Sequence, residues 1–160
     1  MKFPTLFCVT PTLLVLIAAL GIMQAALADA DRRMVPLSPK YQQECAGCHL
    51  AYPPGMLSPS SWKRVMTTLP RHYGTDASLD PATVEELTAW LAANAGNPPR
   101  VSDKPPQDRI STSSWFEREH REVALAVWKR ATIGSRANCA ACHIRADKGS
   151  FDKDSLRIPK

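Results

Sequence analysis

The chain of 160 residues carries the same five-residue pattern twice, a Cys-x-x-Cys-His motif in which two thiols precede an imidazole. The motif residues are Cys45, Cys48 and His49 in the first copy and Cys139, Cys142 and His143 in the second. Two thiols at this spacing can bond to the two vinyl groups of one porphyrin, and the adjacent histidine then lies beneath the iron as an axial ligand. The motifs therefore predict two covalently attached haem c groups, each containing iron.

Two other uses of paired cysteines fit this chain poorly. Zinc ribbons join their cysteine pairs by loops much shorter than the 90 residues between Cys48 and Cys139. A thioredoxin-like pair follows a strand in a βαβ unit, whereas the residues that flank both motifs have helical patterns. Covalent haem is therefore the favoured chemistry.

Two further histidines offer a second axial ligand for each iron. His72 follows His49 by 23 residues, and His120 precedes His143 by the same number. Two imidazole ligands make a haem six-coordinate and low-spin. We therefore expect His49, His72, His120 and His143 to bind iron, although an isolated histidine is more often a surface or capping residue.

The sequence around the two further histidines supports this interpretation. His120 shares one predicted helical face with Phe116, Val123 and Val127, so its ring nitrogens need a partner that iron would supply. His72 lies in a predicted loop, and a loop can present a ligand across a haem pocket. Two methionines near the first motif, Met56 and Met66, are alternative ligands in place of His72, whereas Met34 is a weaker candidate.

The N-terminal residues have the pattern of a signal peptide over residues 1–28. A positive start and an apolar segment precede small residues that allow cleavage near Ala28 or Ala30. Export of the chain would place it in the periplasm, where c-type haem is attached in bacteria. The alternative is an uncleaved anchor, because the uncharged segment is long enough to span a bilayer.

Helix-start signals divide the remaining chain. Ser38, Ser58 and Asp80 each precede a proline, which predicts three N-capped helices, and a further helix is predicted from Ser113 to Lys129. The predicted fold is all-α. The predicted divisions are the signal peptide (1–28), an N-terminal haem domain (29–97), a Pro-rich connector (98–110) and a C-terminal haem-binding segment (111–160).

The two halves of the chain differ in net charge but are similar in size. Residues 29–99 have a net charge of −1, whereas residues 100–160 have a net charge of +5, which can steer the chain towards an acidic partner or offset haem propionates. Each half has about 60 residues, and cores of that size are marginal alone. We therefore expect the haem-free protein to be unfolded or molten.

The chain resembles the small periplasmic dihaem cytochrome c family of proteobacteria. The resemblance rests on the two CxxCH motifs, the two further histidines, the length of the chain and three short segments. These segments are 115–120, which ends at His120, 128–130 together with Asn138 and Cys139, and 71–74, which contains His72. The resemblance runs from about Leu37 to Lys160. It implies a class I cytochrome c-like N-terminal haem domain and a second, small helical haem-binding segment packed against it.

The same resemblance implies the ligands and the function. It assigns His49 and His72 to the first haem and His143 and His120 to the second, with both haems bis-His. It implies electron transfer between redox proteins, with an oxygen-binding monohaem cytochrome c as an acceptor and a membrane cytochrome b as a donor. The prediction is thus a non-enzymatic electron carrier that binds no nucleic acid. Its rivals are a haem protein with one open iron site, which binds a gas or reduces a small oxidant, and a membrane-tethered haem subunit.

Overall fold

The structure is a computed structural model that describes residues 35–97, 101 and 104–160. The predicted signal peptide lies outside the described residues, as do residues 98–100, 102 and 103 of the predicted connector. The described residues lie in one compact unit. None of their helices has the length and apolar character that a membrane span requires.

The described residues form α-helices and 3-10 turns. The helices are α1 (Pro39–Cys45), α2 (Pro59–Thr67), α3 (Pro81–Ala93), α4 (Ser114–Glu119) and α5 (Leu125–Trp128). The 3-10 turns are Pro54–Met56, Leu69–Arg71, Pro106–Asp108, Ile110–Thr112, Cys139–Ala141, Ala146–Lys148 and Lys153–Ser155. The only β-pairing in the described part of the chain consists of isolated bridges, so the all-α prediction is confirmed.

Side-chain caps begin four of these helices, three of them at the predicted N-cap residues Ser38, Ser58 and Asp80. The hydroxyl of Ser58 accepts a hydrogen bond from the backbone N–H of Ser61 at 3.2 Å, and the carboxylate of Asp80 accepts one from Thr83 at 3.0 Å. Ser38 and Ser113 cap α1 and α4 in the same way. These bonds satisfy N–H groups that have no partner inside a helix, and they fix where each helix begins.

The apolar core lies almost wholly in the first half of the described chain. Helices α2 and α3 pack against each other over it. Its buried members are Tyr41, Ala51, Leu57, Trp62, Val65, Met66, Leu69, Leu87 and Leu91. In the second half, the buried apolar side chains beyond residue 110 are Phe116, Ile133 and Ala146. The second half therefore has little apolar core of its own.

The segment predicted as one helix from Ser113 to Lys129 is two short helices instead. Helix α4 ends at Glu119, and Ala124 has an extended backbone conformation before α5 begins. The break lets the chain fold back, so that the Trp128 ring lies 5.9 Å from the Phe116 ring. The tertiary packing of these aromatic rings overrides the helical periodicity that the prediction used.

Candidate haem sites

Helix α1 delivers the first CxxCH motif. It ends at Cys45, which is half-buried, and the chain then turns so that Cys48 and His49 are exposed. Burial, followed by the nearby Glu44 carboxylate, raises the pKa of the Cys45 thiol to about 11. A raised pKa keeps this thiol protonated at neutral pH.

The structure brings His72 opposite His49. Their ring centroids are 6.1 Å apart, and the ring planes are inclined by 24°. His72 follows the Leu69–Arg71 turn, and its backbone N–H bonds to the carbonyl of Leu69, which belongs to the core. Burial, the neighbouring His49 and the Arg109 guanidinium lower the pKa of His72. The neutral imidazole that binds metals is thereby favoured.

The second pair of histidines has almost the same separation. His120 and His143 have ring centroids 6.2 Å apart, with the ring planes inclined by 83°. His120 caps the end of α4, and His143 follows the short turn Cys139–Ala141. Burial and then the nearby His120 lower the pKa of His143, which again favours the neutral form.

The hydrogen bonds of two of these histidines select the tautomer that a metal binds. Nδ1 of His49 donates to the carbonyl of Leu50 at 2.7 Å, and Nδ1 of His120 donates to the carbonyl of Phe116 at 2.9 Å. A carbonyl only accepts, so the proton lies on Nδ1 and the lone pair on Nε2. Metal-binding histidines commonly have such an outer partner, which orients the ring.

A cavity of about 460 Å³ lies at the first pair. Its wall includes Cys45, Cys48, His49 and His72 together with core side chains such as Trp62. This volume lies within the range of about 300–1,000 Å³ that small-molecule and cofactor sites occupy. Met66 also lines the cavity, whereas Met56, which is buried, is not among its lining residues.

The residues present fit haem on two observations. A metal ion held between two imidazole nitrogens by bonds of about 2 Å would separate the ring centroids by roughly 6 Å, as both pairs show. Among the described residues, the buried side-chain nitrogens without a hydrogen-bond partner are Nδ1 of His143 and Nε of Arg136. The Nε–H of Arg136 is suited to a carboxylate such as a haem propionate. The described residues contain no cluster of three or more His, Cys, Asp or Glu side chains that would hold a bare metal ion.

The sequence does not predict the roles of three residues near the sites, which are Tyr52, Arg136 and Arg109. The Tyr52 hydroxyl donates to the carbonyl of Ala137 at 2.7 Å, and the Arg136 guanidinium pairs with Glu117 at 2.9 Å. The Arg109 guanidinium lies 4.0 Å from the centroid of the Tyr73 ring. Each contact joins distant parts of the chain, and no local pattern in the sequence signals it.

Residues 105–112, here called the strap, lie against the first site. Nε and Nη2 of Arg64 contact the Asp108 carboxylate at distances of 2.6–3.1 Å. The Tyr73 hydroxyl donates to the carbonyls of Gln107 and Asp108, at 3.0 and 3.2 Å. Gln107 and Asp108 both have positive φ angles, which are uncommon for residues other than glycine. These contacts place Asp108 and Arg109 in the cavity wall.

Comparison with known proteins gives consistent matches. A family model described as dihaem cytochrome c matches residues 41–151, more than half of the chain. The chain is similar to the structure of a diheme cytochrome type c from Shewanella baltica, with 32% identity and a TM-score of 0.68, over 78% of this chain and 95% of that chain. It is also similar to diheme cytochrome c from Rhodobacter sphaeroides, with 38% identity and a TM-score of 0.66, over 74% and 100% of the two chains. No curated protein matches the chain.

Proposed function

The chain belongs to the dihaem cytochrome c family and carries two covalently bound haem c groups, and from this premise we propose that it is a periplasmic electron carrier with two bis-His haems. The family and the cofactor predicted from the two CxxCH motifs are confirmed. The ligands, the location and the partners are the further content of the proposal.

The distances between the ring centroids of the two histidine pairs are the observation that supports the proposed ligands. Ring centroids 6.1 and 6.2 Å apart in two unrelated local structures are the spacing that one iron between two imidazoles requires. We assign His49 and His72 to the first haem and His143 and His120 to the second. The four motif cysteines, Cys45, Cys48, Cys139 and Cys142, form the thioether attachments in this proposal.

The protein's own residues prepare both sites for electron transfer. Bound haem supplies an iron that gains and loses one electron. The carbonyls of Leu50 and Phe116 orient His49 and His120, and the wall of the first cavity is largely apolar. Two strong ligands at each iron leave no coordination position for a substrate, so the proposed activity is electron transfer rather than catalysis.

We further propose that the chain works in the periplasm, with other redox proteins as partners. The signal-peptide pattern of residues 1–28 supports export. The family resemblance supports an oxygen-binding monohaem cytochrome c as acceptor and a membrane cytochrome b as donor. The excess of basic residues after residue 100 would steer this half of the chain towards an acidic surface on such a partner.

Carbon monoxide binding to the reduced, haem-loaded protein tests the ligand assignment. We expect no change in the absorbance spectrum, because the two imidazoles proposed for each iron would leave no position open to the gas. A change in about half of the haem would overturn the bis-His proposal and favour a gas-binding or oxidant-reducing site. The mass of the protein isolated from the periplasm tests export separately, since cleavage near Ala28 or Ala30 removes the leading segment.

A further inference from the structure

Tyr52 connects the segments that carry the two CxxCH motifs. Its hydroxyl donates to the carbonyl of Ala137 at 2.7 Å, although the two residues are 85 positions apart in the chain. Ala137 comes two residues before Cys139, the first cysteine of the second motif. One hydrogen bond therefore ties the second attachment segment to a residue near the first motif.

The ring of Tyr52 is in contact with the first haem site. It stacks on the ring of His49, with the centroids 5.0 Å apart and the planes inclined by 28°. Tyr52 also lines the cavity beside the two histidines of the first pair, and Cys139 lines the same cavity. The two attachment sites thus meet at this side chain.

The apolar core holds Tyr52 in place from the other side. The hydroxyl of Tyr41 donates to the backbone carbonyl of Tyr52 at 3.0 Å, and Tyr41 is only 3% exposed within the core. Two buried prolines, Pro53 and Pro54, follow Tyr52 and restrict its backbone further. A side chain with this support is rigid enough to set the position of what it contacts.

We propose that Tyr52 is a positioning residue for electron exchange between the two haems, holding the second attachment segment at a fixed distance from His49. The inference rests on the proposed function, in which both haems act as redox centres. Rates of exchange between two reacting groups depend on their distance and orientation, so the contact that fixes both also sets the rate. Removal of the Tyr52 hydroxyl frees the segment around Ala137 while it leaves both sets of ligands intact.

The test compares two variants of the haem-loaded protein, Tyr52→Phe and Tyr73→Phe. Tyr73 is the matched control, because its ring lies 4.8 Å from His72 and its hydroxyl bonds to the strap rather than to the second segment. In Tyr52→Phe we expect amide hydrogen exchange over residues 138–143 to accelerate roughly fivefold, the effect of one lost hydrogen bond on an opening equilibrium. Redistribution of electrons between the haems after flash reduction should also slow several-fold.

The control variant should leave amide exchange over residues 138–143 unchanged. If Tyr52→Phe leaves either measurement unchanged, or if Tyr73→Phe accelerates that amide exchange equally, the proposal is overturned. Failure of the proposed function would show differently, as carbon monoxide binding or missing electron redistribution in the unmodified protein. A low-spin spectrum of both haems in Tyr52→Phe establishes that the ligands are intact, so that a slower exchange reports position rather than loss of an axial ligand.

Discussion

His120 and Phe116 are in contact through both ring and backbone. Their rings stack with centroids 4.0 Å apart and planes inclined by 20°, and Nδ1 of His120 donates to the carbonyl of Phe116 at 2.9 Å. The same carbonyl accepts the backbone N–H of His120 at the end of α4. The imidazole plane and its tautomer are thus fixed by the residue one helical turn earlier, which leaves Nε2 available for iron.

The substitution His120→Ala should open the second haem alone. The reduced variant should bind carbon monoxide at half of its haem, because in the proposed assignment one iron loses a ligand while the His49–His72 pair is untouched. The measurement is the absorbance change on addition of the gas. Phe116→Leu is the control, since it removes the stacked ring but keeps both the carbonyl and His120. A spectrum of His120→Ala identical to that of the unmodified protein would remove His120 from the ligands.

Two substitutions can show whether His72 or Met66 is the second ligand of the first haem, since both side chains line the same cavity. We expect His72→Ala to convert half of the haem to a form that binds carbon monoxide. Met66→Leu should leave both haems low-spin, because Leu has nearly the volume of Met and the core accepts it. The reverse result, in which Met66→Leu opens the site and His72→Ala does not, would make the first haem His-Met.

The contact of Arg64 with Asp108 should make the strap sensitive to acid. The hydrogen bond from Arg64 holds the pKa of Asp108 below its usual value. Because the folded-state pKa is depressed, the stabilisation is present above the unfolded pKa of about 3.9 and is lost as the pH falls through the folded value. We expect Asp108→Asn to lower the free energy of unfolding by about 1 kcal/mol at pH 7, since both partners are partly exposed.

The measurement is the free energy of unfolding of the haem-loaded protein at pH 7 and at pH 3. The difference between Asp108→Asn and the unmodified protein should shrink at pH 3, because the unfolded chain binds a proton at Asp108 below its ordinary pKa of about 3.9, whereas the folded protein resists that protonation. Asp147→Asn, at an exposed carboxylate in the second half, is the control and should have little effect at either pH. A difference for Asp108→Asn that stays constant between the two pH values would contradict the acid sensitivity.

Local chemistry is what made much of this structure predictable from the sequence. The caps at Ser58 and Asp80 depend on residues three positions apart, so the sequence alone places the starts of α2 and α3. The sequence also offers the His49–His72 pair as a candidate, because a separation of 23 residues puts each histidine within easy chain reach of the other. In contrast, the bond from Tyr52 to Ala137 joins residues 85 positions apart and has no local signal.

The helix predicted through His120 shows a local pattern that did not determine the structure. Its periodicity of apolar residues was real, but Val123 and Val127 remain only partly buried after the helix breaks. Helix α4 ends at Glu119, although the backbone N–H of His120 keeps its bond to the carbonyl of Phe116. The packing of the Trp128 ring against the Phe116 ring therefore decided the local structure, and a contact of this kind is not visible in a periodicity.

Loss of the second haem should unfold the second half before the first. The buried core cluster lies in residues 41–91, whereas Phe116, Ile133 and Ala146 are the buried apolar side chains described beyond residue 110. Porphyrin is therefore expected to supply most of the apolar volume of that half. In the variant Cys139→Ser with Cys142→Ser, amide protection over residues 113–158 should collapse, while protection in α2 and α3 persists.

Hydrogen exchange followed by mass spectrometry measures both halves of this variant at once. The matching variant, Cys45→Ser with Cys48→Ser, should lose protection in both halves, because the wall of the first cavity includes Phe116 and Arg136 of the second half. Protection over residues 113–158 that equals that of the unmodified protein would show that this half folds without haem. The second haem would then bind to a half that is already folded, and it would not be needed as part of the core of that half.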